Sequence, residues 1–139
     1  ADRNRVMAFD WGLRNIGVAV GNLALGSCQP CGIVRAKEGR PDWGAIKTLL
    51  KEWQPAQLIV GEPLNMDGSD SEITPRARKF GRQLEGRFNL PVLMADERLS
   101  SREAKYQQRE RGHRGNYNER PIDDEAAMII LASWLREQR

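Results

Sequence analysis

Histidine is almost absent from this chain of 139 residues, which has only His113. Cysteine is nearly as scarce, with Cys28 and Cys31 forming one Cys-x-x-Cys. A zinc centre built on that pair needs two more ligands and finds one histidine. A redox pair should open a helix, whose dipole lowers the thiol pKa. Here Gly32-Ile33-Val34 follows and reads as the start of a strand, so the cysteines are expected to be reduced structural thiols. No Ser/His/Asp or Cys/His set stands out for nucleophilic catalysis, and His113 lies in a glycine-flanked loop. No apolar run approaches the ~20 residues that span a bilayer, and no signal-peptide pattern opens the chain. The expectation is one cytoplasmic domain over residues 1–139, long enough to bury a core.

Two apolar runs are prominent, Val6–Phe9 and Ile16–Val20, flanking a short polar turn with glycine. Each has strand length, and together they read as a β-hairpin in a buried sheet. Asp10 ends the first run, where a buried charge is costly unless a cation or a phosphate-handling centre uses it. Gly12 and Gly17 leave room beside it. Pro41-Asp42 starts a helix with Ile46, Leu49, Leu50 and Trp53 on one stripe, and Pro55 ends it. Leu58–Gly61 is a short buried strand, followed by a loop from Glu62 to Gly68. Thr74-Pro75 supplies a capping hydroxyl and a first-turn proline for a helix running to Phe88, with Ala77, Phe80, Leu84 and Phe88 inward. Pro91–Ala95 is the last strand and runs into Asp96-Glu97. Ser100 and Glu103 form a capping box for a further helix, followed by a basic loop with His113 and Tyr117. After Pro121, a final helix buries Ala126, Ala127, Ile130 and Trp134.

The net charge of +3 says little, but its distribution says more. Residues 74–90 and 98–120 each carry net +4, which leaves −5 for the rest of the chain. Both basic segments follow acid-tipped strands. Positive flanks around an acidic centre suit a metal-dependent nuclease, because Lys and Arg hold phosphates while carboxylates hold Mg²⁺ or Mn²⁺. Arg78, Arg82 and Arg98 are the basic residues expected on nucleic acid. The acidic candidates are Asp10, Asp96-Glu97 and Asp123-Asp124, all at predicted element ends. In a mostly parallel α/β sheet, ligands gather at the C-terminal strand ends. Two ions ~4 Å apart would stabilise the attacking and leaving oxygens of a phosphodiester hydrolysis.

Four motifs in order carry a family resemblance: Phe9-Asp10-Trp11-Gly12 with Ile16-Gly17-Val18-Ala19, Val60–Gly68, Asp96-Glu97-Arg98-Leu99-Ser100, and Asp123 before Ala126-Ala127. From about Val6 to Trp134 the chain resembles the YqgF/RuvX family, bacterial proteins described as pre-16S rRNA nucleases and as Holliday junction resolvase homologues. The resemblance implies an RNase H-like α/β fold, a five-stranded mixed sheet with its first three strands antiparallel, flanked by helices. It also implies that Asp10, Glu97 and Asp123 are the catalytic, metal-binding carboxylates. The activity implied is metal-dependent endonuclease cleavage of precursor rRNA, with ribosomal precursor particles as a setting. Resolution of branched DNA is the first alternative, and non-catalytic RNA binding the second. An actin-like phosphotransferase also has Asp-x-Gly in its first hairpin but needs two domains, more than 139 residues supply. Two positions depart from the family pattern. Glu62 stands where a hydrophobic residue is usual and could add a fourth carboxylate, and Asp124 duplicates the acid beside Asp123.

Overall fold

The computed structural model describes residues 2–100 and 124–138. Its centre is β1 (Asp2–Asp10), whose apolar run is buried on both faces. It pairs antiparallel with β2 (Asn15–Asn22), which pairs antiparallel with β3 (Ser27–Lys37). On its other side β1 pairs parallel with β5 (Pro55–Glu62), which pairs parallel with β6 (Val92–Asp96). A two-residue strand, β4 (Arg40–Pro41), pairs with the end of β3. The sheet order is therefore β4-β3-β2-β1-β5-β6, six strands where five are expected. The extra strand is the short return of the chain between β3 and the first helix, too brief to leave a hydrophobic pattern.

Helix α1 (Trp43–Trp53) is capped by Asp42, whose carboxylate accepts the Ala45 amide at 3.2 Å. It ends at Gln54 in the left-handed region, before Pro55. Helix α2 (Thr74–Phe88) starts as expected, but Thr74 is not its cap. Ile73 precedes the helix, and the buried Thr74 hydroxyl donates to the Pro63 carbonyl and accepts the Ser71 amide, tying the helix start to the preceding loop. Helix α3 (Glu97–Ser100) begins directly after β6 and not at Ser100. Asp96 starts it, because its carboxylate accepts the Arg98 amide at 2.9 Å. The remainder of the expected third helix and the basic loop with His113 and Tyr117 lie outside the described residues, as does Asp123. Helix α4 (Asp124–Glu137) closes the fold.

The helices cover opposite faces of the sheet. Met7, Phe9, Leu58 and Val60 pack with Ile46 of α1 and with Phe80 and Leu84 of α2. Val6, Ala8, Ala19 and Ile59 pack with Ala127, Leu131 and Trp134 of α4. Phe9 and Phe80 meet edge to face with ring centroids 5.7 Å apart. Replacing either with Ala would cost about 3–5 kcal/mol, a large share of the stability of a small domain.

Candidate active site

Side chains alternate along a strand, so the packing of each strand fixes where its last residue points. In β1, Val6 and Ala8 face α4, and Asp10 follows them to that face. Asp10 is only 4% exposed. Its antiparallel partner in β2 is Gly17. On the other side, one step beyond the Phe9–Val60 pair, stands Gly61 of β5, and Gly61 in turn pairs with Ala95 of β6. The row at the strand ends is thus Gly17, Asp10, Gly61 and Ala95. A single carboxylate stands in it between two residues without side chains.

Glu97 fills the space above that row. A Cβ placed on Gly61 would lie 3.1 Å from both Cγ and Cδ of Glu97 and 2.8 Å from Ile130 Cδ1 of α4. The Glu97 side chain therefore folds back from α3 over β5, beside the strand that ends in Asp10, and is 6% exposed. Asp10 and Glu97 are the two buried carboxylates among the described residues. Glu97 is held there by its neighbours. Asp96 accepts the Arg98 amide and takes the Arg98 guanidinium at 2.7 Å, which pins the first turn of α3. Those hydrogen bonds from Arg98 hold the Asp96 carboxyl below its usual range.

Glu62 and Asp96 belong to the other face. They pair across β5 and β6 one step past Gly61 and Ala95, in phase with Val60 and Met94, which pack towards α2. Glu62 there binds Arg78 of α2 at 2.9 Å, and Arg78 also reaches Asp70 at 2.7 Å. Glu62 is neither turned into solvent nor aimed with Asp10. Arg98 also donates to the Met66 carbonyl at 3.3 Å. Two of the three arginines expected on nucleic acid, Arg78 and Arg98, thus fasten the loop after β5, while Arg82 is exposed. No residue pattern could reveal this, because the acidic partners of Arg78 come from the end of β5 and from that loop.

Asp124 also has a local task, as its carboxylate accepts the Gly32 amide of β3 at 3.0 Å. Among the described residues no group of three or more His, Cys, Asp or Glu is placed to hold a metal ion. Asp123, the third acid of the motif, immediately precedes α4 outside those residues. The cysteines separate: Cys28 packs on the α4 face and Cys31 on the α1 face, and burial pushes both thiols up.

A mixed sheet in this order, with acids at the ends of β1 and β6, is the RNase H-like fold. Among solved structures, RuvC of Thermus thermophilus in complex with a Holliday junction substrate is similar at a TM-score of 0.57 and 15% identity, covering 96% of this chain and 94% of that one. A second Thermus thermophilus RuvC structure gives 0.55 and 15%, covering 96% and 95%. The chain belongs to the RuvX family, described as Holliday junction resolvase, whose family model matches residues 4–137. A relative from Pseudomonas aeruginosa is 50% identical over 132 residues, 95% of this chain and 92% of its own length. One from Chromohalobacter salexigens is 52% identical over 137 residues, 99% and 93%. Both carry the provisional name pre-16S rRNA nuclease.

Proposed function

We propose that this chain is a metal-dependent endonuclease acting in the cytoplasm on the precursor of 16S rRNA, with Asp10, Glu97 and Asp123 as its metal-binding carboxylates. The observation that carries the reading is the pair of buried carboxylates on the α4 face, Asp10 between Gly17 and Gly61 and Glu97 folded over Gly61. The fit to a hard cation is chemical. Carboxylate oxygens are the donors that Mg²⁺ and Mn²⁺ prefer, and the absence of a side chain on Gly61 lets Glu97 fold in beside the strand end that carries Asp10. When bound, such ions polarise the scissile phosphate and stabilise charge developing on the attacking and leaving oxygens. The protein supplies the rest. Asp10 projects from the most buried strand and cannot drift, and Asp96 with Arg98 fixes the turn that aims Glu97. Burial of both carboxylates lowers the local dielectric and strengthens their hold on a cation. Arg82, exposed on α2, is free to meet phosphate.

The pre-16S substrate follows from the names of relatives about half identical over nearly the whole chain. The family description favours a second reading, cleavage of branched DNA. Incubating the protein with precursor rRNA and with a four-way DNA junction, each with Mg²⁺ or Mn²⁺, separates them. Cleavage of the rRNA is expected, with a fall of at least about 100-fold in Asp10→Asn. Junction cleavage alone would move the substrate to DNA. Wild-type activity in Asp10→Asn would remove the carboxylate mechanism and leave RNA binding.

A further inference from the structure

On the α1–α2 side of the sheet lies a cleft of about 1000 Å³ that the carboxylate site does not use. Its rim is the β1–β2 turn at Leu13-Arg14 and the β3–β4 turn at Glu38-Gly39, joined by a Gly39 amide to Leu13 carbonyl bond of 2.8 Å. Gly39 has φ +83°, and a Cβ there would meet Arg76 Nη2 at 2.6 Å. The wall is one stripe of α2, Arg76, Lys79 and Arg87, on the side of the helix turned away from Arg78. Arg14 and Arg40 add charge, and Glu38 is the one acid in the lining. None of these cations takes part in the ion pairs of the described residues, which engage Arg78 and Arg98 only.

Two of the cations lie over indole rings. The Arg76 guanidinium lies 5.2 Å from the Trp11 ring centre and also donates to the Glu38 carbonyl at 2.9 Å. The Arg87 guanidinium lies 4.2 Å from the Trp43 ring centre, and Trp43 is itself stacked on Phe80. Indole rings thus hold two guanidinium groups at the cleft, and guanidinium groups bind phosphates and bases well. A volume at the top of the range for single small-molecule sites suits a length of polymer.

We propose that this cleft binds a single-stranded nucleic-acid segment, the flank of the strand that the carboxylates cut. The connection between the two places is one residue long. Asp10 and Trp11 are consecutive and alternate to opposite faces, so Asp10 opens on the α4 side and Trp11 floors the cleft. Both lie at the same end of the sheet, and a strand crossing the end of β1 reaches both. The assignment of the polymer rests on the nuclease reading, while binding in the cleft is measurable without cleavage.

The test is fluorescence anisotropy of labelled 12-mer oligo(U) and oligo(dT) in EDTA, titrated with the full chain between 50 and 300 mM KCl (assay conditions set by roughly one Debye length of screening). Lys79→Gln/Arg87→Gln should flatten the log Kd against log salt slope by about 1.4, the equivalent of two phosphate contacts on a single strand. Affinity should fall about 20-fold near 0.1 M salt. The control Lys47→Gln/Lys51→Gln removes two exposed charges from α1 outside the cleft and should leave slope and affinity within twofold. Binding of either oligonucleotide supports the proposal, and the tighter one identifies the sugar. An unchanged slope in the cleft variant overturns it. So does an equal loss in the control, or displacement of the oligonucleotide by polyphosphate or polyglutamate at equal charge, which would make the cleft a plain anion or acidic-peptide site. Because EDTA prevents metal-dependent cleavage, failure here leaves the carboxylate mechanism standing.

Discussion

Gly61→Ala isolates the contact on which the site depends. The added methyl would sit 2.8 Å from Ile130 Cδ1 and 3.1 Å from Glu97 Cγ and Cδ, so both neighbours must move by a few tenths of an ångström. Overpacking of this kind costs about 1–3 kcal/mol. For a domain of this size that lowers Tm by about 3–10 °C. Ile130 can yield by removing the atom in question: Ile130→Val deletes Cδ1 and alone costs about 1 kcal/mol. The double variant should therefore be less destabilised than the two single changes added together, by about 1 kcal/mol, since one of the two clashes is gone. Glu97 has no such relief, because its helical turn is anchored by Asp96 and Arg98. Thermal unfolding and rRNA cleavage, measured on both singles and the double, distinguish packing from chemistry. The expectation is a double variant no less stable than Gly61→Ala alone, with cleavage still at least about 10-fold below wild type, given how steeply rate depends on sub-ångström placement. Cleavage at the wild-type rate in folded Gly61→Ala, or cleavage restored in the double variant, would refute the role given to Glu97.

Three further outcomes follow from single contacts. Asp124→Ala should lower stability by about 0.5–1.5 kcal/mol through loss of the bond to the Gly32 amide, with cleavage unchanged, whereas Asp123→Asn should abolish cleavage; urea titration and the cleavage assay check both. Arg98→Met should lower Tm at pH 7 and matter less in acid. The Asp96 carboxyl lies below its usual value in the fold, so the stability it lends is full above the unfolded value near ~4 and is lost as pH falls through the folded value. Tm of both proteins from pH 2 to 7 should therefore converge below about pH 4. Finally, Cys28 and Cys31 face opposite sides of the sheet, so diamide treatment of the folded protein should leave both thiols free, as counted with a thiol reagent after unfolding.

Much of this fold is legible in the sequence because apolar runs and helix signals coincide with its elements. Val6–Phe9, Ile16–Val20 and Leu58–Gly61 lie within strands, and the stripes of α1 and α2 point inward. β3 is longer than Gly32-Ile33-Val34 suggests, because its first half is mostly exposed and has no apolar pattern. The faces are the harder matter. β1 is buried on both sides, so its continuous run gives no clue that Asp10 points to α4 while Glu62, on β5, points to α2. That distinction needs the packing partner of every second residue. The basic segment 74–90 is legible as charge, yet its division into ion-paired Arg78 and cleft-facing Arg76, Lys79 and Arg87 depends on residues distant in the chain. Capping chemistry is harder to read: α2 starts at Thr74 as expected, but Ile73 holds its cap position, and the short helix ending at Ser100 is started by Asp96.

The helix that closes the carboxylate face is translated after every other described element of the fold. Val6, Ala8, Ala19 and Ile59 are covered by residues 127–135, which emerge after everything they cover. A nascent chain lacking α4 therefore has Asp10 at an open sheet face, with Ile130 absent from beside Glu97. Local strand and helix contacts form early, whereas this long-range docking waits on synthesis of α4. Under the nuclease reading the arrangement would work as a timer: the carboxylate face is closed only once α4 has been made, and fragments truncated before α4 are expected to be inert.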